Sequence, residues 1–394
     1  MISPKFSILI PTRDRPATFR HSLATVIDQQ GDDYEIVVAD NSGSPATKMI
    51  VDEFSLTFPN IKYIRSDIVL PMAENWEKGL DACSGEYITI LGDDDGFLPS
   101  SLDIARKIIN AMMPDIIAWS PHTYWWPDTI VYWNANKLIL SYMEGMGWIN
   151  STEMLRAFYD DKAGFGELPS IYSAFVKKEC IEKAITKSGR YLYPTNLPPD
   201  ITSGILNLLF TDRYFYTQRP LSIRGNSGKS IGTAHWARGF GDKRRETYFK
   251  EEGETLEGIT HPDLIPSPNL HITIANCMLH MKEHFFPDSI DLTVNLENVV
   301  SRILNDLNNH PESYEADFVD AHALAEKIGM KINPTAVPRK KVIERSRFHG
   351  PIKNGNQITG VAIDCNLAGI FNIKEASCLV DSMLPHIKSI NKLN

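Results

Sequence analysis

The feature that most constrains the fold is the alternation of short apolar runs with amphipathic segments in the first 120 residues. Phe6–Pro11 and Tyr34–Ala39 are runs of the length of buried strands, and Pro16–Gln30 between them carries apolar residues at helical spacing. The pattern continues through residues 47–58, 61–65, 72–83, 87–91, 100–113 and 115–119. Strands that alternate with such helices predict βαβ units, and therefore an α/β, Rossmann-like fold with a mostly parallel sheet flanked by helices.

Charge and cysteine usage exclude several classes of protein. The 394 residues include 40 basic and 49 acidic side chains, a net charge of −9, so we expect no nucleic-acid partner. The five cysteines form no CxxC pair, which indicates a reduced, cytoplasmic chain. The first residues lack the features of a signal peptide, and no apolar run reaches the roughly 20 residues of a transmembrane helix.

An acidic cluster, GDDDG at Gly92–Gly96, follows the predicted strand at 87–91. Ligands of parallel sheets bind beyond the carboxyl ends of the strands, and a second polar turn, Asp40–Ser42, ends another strand. Adjacent carboxylates repel each other unless a cation compensates them, and Mg²⁺ or Mn²⁺ bound together with nucleotide phosphates is the obvious candidate. The alternative is a solvated turn with a helix-capping aspartate.

Three segments in the order of these strands, SILIPTRDRP, EIVVADNS and SGEYITILGDDDGFLP, resemble the nucleotide-binding half of the inverting family 2 glycosyltransferases. The resemblance covers residues 5–119 and implies the GT-A fold. It also implies a metal-dependent enzyme that transfers a hexose from a nucleotide-diphosphate sugar, expected to be a UDP-sugar, to a hydroxyl of a glycan or lipid-linked glycan. Surface polysaccharide biosynthesis is the expected setting.

The resemblance also implies functional residues. Asp40 would hydrogen-bond the nucleotide base, and Asp94 would bind the metal between the two phosphates. Asp95 is a second candidate metal ligand, because Gly92 stands where the family has its first aspartate. The residues expected to bind the donor are Pro11, Thr12, Arg13, Asp40, Asp93 and Arg224.

The match in the second half of the chain is weaker. Asp200, in LPPDITSGILNLL, stands where the family has its catalytic base, although Pro199 replaces the glutamate that usually precedes it. The alternative is that Asp200 only caps a helix. The Gly- and Ser-rich segment 222–233 is predicted to be a mobile loop that closes over the diphosphate and brings in Arg224, Lys229 or His235.

These patterns suggest a division of the chain. Residues 1–240 would form the glycosyltransferase domain, with a nucleotide-sugar half at 1–119 and an acceptor half at 120–240. Residues 241–394 would form a mainly helical extension. Five of the seven tryptophans lie between 119 and 148, and Trp125 and Trp126 are either an exposed platform for sugars or part of a core.

Other functions remain open at this stage. A nucleotidyltransferase of related fold would carry a glycine-rich loop after the first strand, where this chain has PTRDRP. A non-catalytic nucleotide- or glycan-binding module would explain the departures at Gly92 and Pro199. Cys277, His280 and His284 share a helix face that could hold zinc, but no fourth ligand is visible. The basic cluster at 339–347 is a solvated linker or a contact with anionic lipid, which would make the protein peripheral to a membrane.

Overall fold

The computed structural model describes residues 4–141, 145–192, 196–332, 339, 348–355 and 357–385. The first half contains strands and helices close to the predicted ones. Its elements are β1 Phe6–Thr12, α1 Pro16–Ile27, β2 Tyr34–Asp40, α2 Ala46–Ser55, β3 Ile61–Arg65, α3 Met72–Ala82, β4 Tyr87–Ile90, β5 Gly96–Phe97, α4 Ser101–Met112, β6 Ile116–Trp119, β7 His122–Trp125, β8 Lys137–Ser141, β9 Met146–Asn150 and α5 Ser151–Tyr159.

The second half is richer in helices. Its elements are β10 Ala174–Lys177, α6 Lys178–Ser188, α7 Pro199–Leu209, β11 Arg213–Thr217, β12 Ser222–Asn226, α8 Ile231–Trp236, α9 Asp242–Glu252, α10 Leu256–Ile259, α11 Leu270–Phe285, α12 Leu296–Asp306, α13 Tyr314–Ile328, β13 Gly350–Asn354, β14 Gln357–Asp364 and α14 Ile373–Met383. No helix among the described residues combines the length and the apolar character needed to cross a bilayer.

The central sheet has eight strands in the order β3-β2-β1-β4-β10-β6-β11-β9. The first four strands of this order run parallel, as the βαβ pattern predicts. Strand β10 then runs antiparallel between β4 and β6, so the sheet is mixed beyond this point. The predicted α/β class with a large sheet flanked by helices is confirmed.

Both faces of the central sheet are buried, which explains why its strands are continuous apolar runs. Along β1, Phe6, Ile8 and Ile10 pack with helices α1 and α4, whereas Leu9 points to the other face. That face is covered by α3, α7 and α11. Burial on both faces is the rule for sheets whose crossovers are helical.

A second sheet of six strands has the order β13-β14-β8-β7-β12-β5. It contains β5, which directly follows the acidic cluster, and β12, which belongs to the segment predicted to be a mobile loop. That segment is instead the strand β12 followed by the short helix α8. The prediction missed this because both partners of β12 lie about a hundred residues earlier in the chain.

The region after residue 240 is mainly helical, as predicted, but it also contains the hairpin β13–β14 before the last helix, α14. Strand β14 pairs with β8, and helix α14 packs against α1 and against Tyr124 and Ile223 of the second sheet. The last described segment therefore completes the second sheet rather than standing apart. The domain boundary at residue 240 stays a prediction. Of the basic cluster at 339–347, the structure describes only Arg339.

Candidate active site

The acidic cluster lies at the turn that joins β4 to β5, beside the end of β1. Asp93 is buried, and its two oxygens accept hydrogen bonds from the Thr12 hydroxyl at 2.8 Å and from the Arg15 guanidinium at 2.9 Å. Two neighbouring strand ends thus converge on one carboxylate, as expected for the carboxyl edge of a parallel sheet. Thr12 and Asp93, both predicted to bind the donor, are joined directly.

Asp94 is buried beside a serine from the distant β12–α8 connection. Its Oδ2 accepts a hydrogen bond of 2.6 Å from the Ser227 hydroxyl and lies 3.7 Å from the Arg15 guanidinium. Burial raises the pKa of Asp94 above its ordinary value, although the positive charge of Arg15 opposes the shift. A further positive charge near this carboxylate would therefore be stabilising.

Both carboxylate oxygens of Asp95 accept hydrogen bonds from backbone amides. Its Oδ1 accepts a 2.7 Å hydrogen bond from the Gly225 amide, and its Oδ2 accepts one of 3.2 Å from the Gly92 amide. Burial and the adjacent Asp94 raise the pKa of Asp95 to about 7. With both oxygens used in this way, Asp95 stabilises the turn, and this geometry favours a structural role over the predicted metal contact.

Gly225 allows β12 to lie directly against the acidic turn. A Cβ atom at this position would lie 1.7 Å from the backbone oxygen of Asp94. The same oxygen accepts a 2.9 Å hydrogen bond from the Trp126 indole. Only a residue without a side chain can make this approach.

One cavity of about 510 Å³ opens onto the acidic turn. The cavity brings together most of the predicted site residues, from both halves of the chain. The predicted residues that line it are Pro11, Asp93, Asp94, Asp95, Asp200 and Arg224.

Asp200 enters this cavity as the second residue of α7, after Pro198 and Pro199. Its Oδ1 accepts a 3.1 Å hydrogen bond from the Ile201 amide, and Pro198 occupies the cap position that the alternative interpretation gave to Asp200. Burial raises the pKa of Asp200, and the charge of Arg224 partly offsets the rise. Among the described residues, the Arg224 guanidinium has no hydrogen-bond partner, so it remains available to an anionic ligand.

Three predicted donor-binding residues lie outside the lining of the cavity. Thr12 is covered by its bond to Asp93, and Arg13 lies 3.5 Å from the Glu251 carboxylate. Asp40 is completely buried, and its oxygens accept hydrogen bonds from the Ser42 amide and the Tyr63 hydroxyl. Their roles in donor binding stay predictions.

Several residues of the site were missed by sequence reasoning. Arg15 connects the acidic turn with the loop after β12, because its guanidinium bonds both Asp93 and the Lys229 carbonyl. Tyr172 lines the cavity near Asp200 and packs edge-on against Trp76, with ring centroids 5.2 Å apart. Burial and then the charge of Asp200 hold the pKa of the Tyr172 hydroxyl well above its ordinary value. Only the basic character of PTRDRP could have drawn attention to Arg15.

Of the two interpretations of the tryptophans, the structure favours the core, although Trp125 also lines the cavity. Trp125 and Trp126 are 7% and 6% exposed and belong to two small cores around the second sheet. Trp126 packs against Tyr124 at 5.6 Å. Both faces of β7 are covered, one of them by the remote helix α14, and this could not be read from the local sequence.

The cysteine and histidines of α11 are not arranged for zinc. Cys277 is fully buried in the core, and the His280 ring lies 3.3 Å from the Ile259 carbonyl. Across the part of the chain that the structure describes, no group of three or more potential ligands is placed to hold a metal ion.

A single carboxylate can nevertheless take part in a shared metal site. Mg²⁺ normally keeps several waters and binds through one or two carboxylates together with substrate phosphates. Asp94 meets this requirement, because it lines the cavity and has an Oδ1 that none of the described residues hydrogen-bonds. The residues present therefore fit a divalent cation at Asp94.

Comparisons with known proteins find related sequences for part of the chain. Residues 7–156 match glycosyl transferase family 2. A Campylobacter jejuni GalNAc(5)-diNAcBac-PP-undecaprenol beta-1,3-glucosyltransferase is 33% identical over 108 residues, 27% of this chain and 35% of that protein. The putative colanic acid biosynthesis glycosyl transferase WcaA of Escherichia coli is 26% identical over 102 residues, 26% of this chain and 37% of that one. The matches thus span about a third of the length of these relatives.

Solved structures resemble the chain more weakly. Staphylococcus aureus TarS 1-349 in complex with UDP-GlcNAc has a TM-score of 0.46 at 15% identity, over 82% of this chain and 88% of that one. The mannosyltransferase PcManGT from Pyrobaculum calidifontis, in complex with GDP-Man and Mn2+, has a TM-score of 0.43 at 14% identity, over 82% and 87%. The family resemblance rests on the sequence matches and not on these solved structures. Residues 7–156 thus resemble glycosyl transferase family 2, and the resemblance to this enzyme family predicted from the three motifs is confirmed.

Proposed function

We propose that the chain is an inverting glycosyltransferase that moves one sugar from a nucleotide-diphosphate donor, expected to be a UDP-sugar, to a hydroxyl of a glycan or lipid-linked glycan. The observation that carries this proposal is that Asp94 and Asp200 line the same cavity. A donor-side carboxylate and a candidate base then face one space. The Campylobacter jejuni relative, named for an undecaprenol-linked glycan, supports the acceptor class.

The donor would bind with its diphosphate at the acidic turn. Arg224 and Arg15 line this part of the cavity and supply positive charge for the phosphate oxygens. A divalent cation bound through Asp94 would offset the negative charge that develops on the departing nucleoside diphosphate. The Ser227 hydroxyl fixes the orientation of that carboxylate.

Asp200 would act as the general base. Its raised pKa makes it a better proton acceptor than an exposed aspartate. As the acceptor oxygen attacks the anomeric carbon, Asp200 takes the hydroxyl proton, and the bond from that carbon to the diphosphate oxygen breaks on the opposite face. One displacement of this kind inverts the anomeric configuration. A cytoplasmic location and contact with a membrane surface stay predictions.

The test is transfer of radiolabelled sugar from a panel of nucleotide-diphosphate sugars to glycan acceptors, with Mn²⁺, with Mg²⁺ and with a chelator. We expect one donor to support transfer, or slow donor hydrolysis without acceptor, only when a divalent cation is present. Release of pyrophosphate from a nucleoside triphosphate and a sugar phosphate would instead show a nucleotidyltransferase. Nucleotide binding without any turnover would favour a non-catalytic module and contradict the proposal.

A further inference from the structure

The cavity continues away from the acidic turn into a region built by the carboxyl-terminal half of the chain. Four aliphatic side chains from α10 and α11 line it there, and we call them the aliphatic wall: Leu256, Ile259, Leu270 and Ile272. Leu168 and Leu197, which are 2% and 4% exposed, also line the cavity. Aliphatic side chains from several parts of the chain therefore line the cavity.

Two residues of the aliphatic wall, Leu270 and Ile272, belong to helix α11, which packs beside the helix of the candidate base. Helix α11 packs against α7, the helix that Asp200 begins, and Cys277 and Met281 of α11 share a core with Ile201 of α7. Thr273, one helical turn before Cys277 on α11, lines the same cavity as Asp200. A molecule whose hydroxyl lies at Asp200 would thus extend along α11.

Several polar side chains of this region are already engaged within the protein, whereas the buried Nδ1 of His235, which also lines the cavity, has no hydrogen-bond partner among the described residues. The side-chain oxygen of Asn276 accepts a 2.7 Å hydrogen bond from the backbone amide of His261. The side-chain NH2 of Asn276 donates one of 2.9 Å to the backbone carbonyl of Ile259. The Thr273 hydroxyl donates to the Asn269 carbonyl at 3.0 Å, and the Ser267 hydroxyl donates to Asp320. Sugar hydroxyls placed against this surface would lose their water partners with little replacement, which is costly.

We propose that the aliphatic wall binds a hydrocarbon aglycone of the acceptor, on the far side of the hydroxyl that is glycosylated. The inference rests on the proposed function and narrows its acceptor to a sugar or alcohol with an apolar group next to the reacting hydroxyl. The cavity of about 510 Å³ lies within the range of about 300–1,000 Å³ typical of pockets for small organic ligands. Burial of hydrocarbon against these side chains supplies the affinity that the engaged polar groups cannot.

Calorimetry with the full chain tests this inference. We compare methyl and n-octyl β-D-glucopyranoside below the micellar concentration, with and without saturating UDP and Mn²⁺. The octyl compound should bind at least tenfold more tightly than the methyl compound, because burial of about two methylene groups accounts for that factor. Equal affinity of the two compounds in both conditions would overturn the inference.

Substitutions in the aliphatic wall then test whether the octyl group binds there. Leu256→Asn and Leu270→Asn change half-buried residues of the wall and should remove most of the octyl preference. Val319→Asn, at a position on α13 that is 63% exposed, is the matched control and should keep it. A preference that survives both wall variants would place the hydrocarbon elsewhere and contradict the inference.

The same titrations separate this inference from the proposed function. UDP binding in the presence of Mn²⁺ should be within a few fold of wild type in both wall variants, because neither position touches the acidic turn. If the wild-type chain binds the octyl compound in the wall but binds no nucleoside diphosphate, the donor assignment fails and the apolar subsite stands. If it binds the nucleoside diphosphate but shows no octyl preference, only the inference about the aglycone fails.

Discussion

The Ser227 hydroxyl donates a hydrogen bond of 2.6 Å to the Asp94 carboxylate across 133 residues of chain. This bond joins the first motif region to the segment after β12, so the acidic turn is shaped by both halves of the chain. Arg15 reinforces the same junction through its bonds to Asp93 and to the Lys229 carbonyl. The geometry of Asp94 therefore depends on β12 lying in place.

We expect Gly225→Ala to displace β12 from the acidic turn. The added Cβ would lie 1.7 Å from the Asp94 backbone oxygen, so the strand must move. Overpacking of this kind costs about 1–3 kcal/mol. Urea unfolding should show that loss, and calorimetry should show weakened nucleoside diphosphate binding.

Gly232→Ala is the matched control for this variant. Gly232 lines the same cavity, but a Cβ there would have the Ser230 hydroxyl as its nearest neighbour, at 3.9 Å. The free energy of unfolding should change by no more than about 0.5 kcal/mol. If the two alanine variants behave alike, the close approach of β12 is not what supports the turn.

Asp94→Asn should remove the metal dependence of donor binding. The amide keeps the shape of the side chain and can still accept the Ser227 hydrogen bond, but it carries no charge for a cation. Calorimetry with UDP and Mn²⁺ should show affinity weakened by at least about tenfold, about 1.4 kcal/mol. Asp103→Asn, at an exposed position of α4, should bind as wild type does. Full Mn²⁺-dependent affinity in Asp94→Asn would refute the assignment.

The buried His122 should make the protein less stable in mild acid. Burial lowers the pKa of His122 to about 4, whereas the unfolded residue titrates near 6.5. Between these values the unfolded chain binds the proton and the folded chain does not, so stability falls as the pH drops from about 6.5 to 4. For this residue alone the loss at pH 5 is up to about 2 kcal/mol.

Urea unfolding of wild type and His122→Gln at several pH values between 7 and 5 checks this expectation. Glutamine does not titrate in this range, so the variant should lose less stability on acidification than wild type does. Parallel pH dependence of the two proteins would show that His122 is already protonated in the folded state or exposed to solvent.

The parts of the fold that follow from local sequence were predicted correctly, and those that depend on distant pairings were not. The strands and helices up to β6 carry their own periodicity, so they could be located from the sequence. The antiparallel insertion of β10 and the pairing of β14 with β8 depend on residues tens to hundreds of positions away. No local pattern encodes such partners.

The residues of the candidate site also divide into those that could be predicted from local sequence and those that could not. Asp94 and Asp200 belong to motifs, and the structure brings them to one cavity as the resemblance implies. Ser227 lies in the segment predicted to be a mobile loop and Tyr172 lies in no recognisable motif, and the roles of both became visible only through their contacts in the folded chain. The aliphatic wall comes from a region that resembled no known family, so its place beside Asp200 could not have been predicted.

Turnover by Asp200→Asn, measured together with donor binding, tests the central claim most directly. Asparagine keeps the shape of the side chain and an oxygen for the Ile201 amide, but it cannot accept a proton at neutral pH. We predict that kcat falls by about 10²–10⁴ while donor affinity stays within a few fold of wild type. Asp212→Asn, at an exposed position just after α7, should keep normal turnover. Near-normal turnover by Asp200→Asn would show that the base is another residue and would contradict the account.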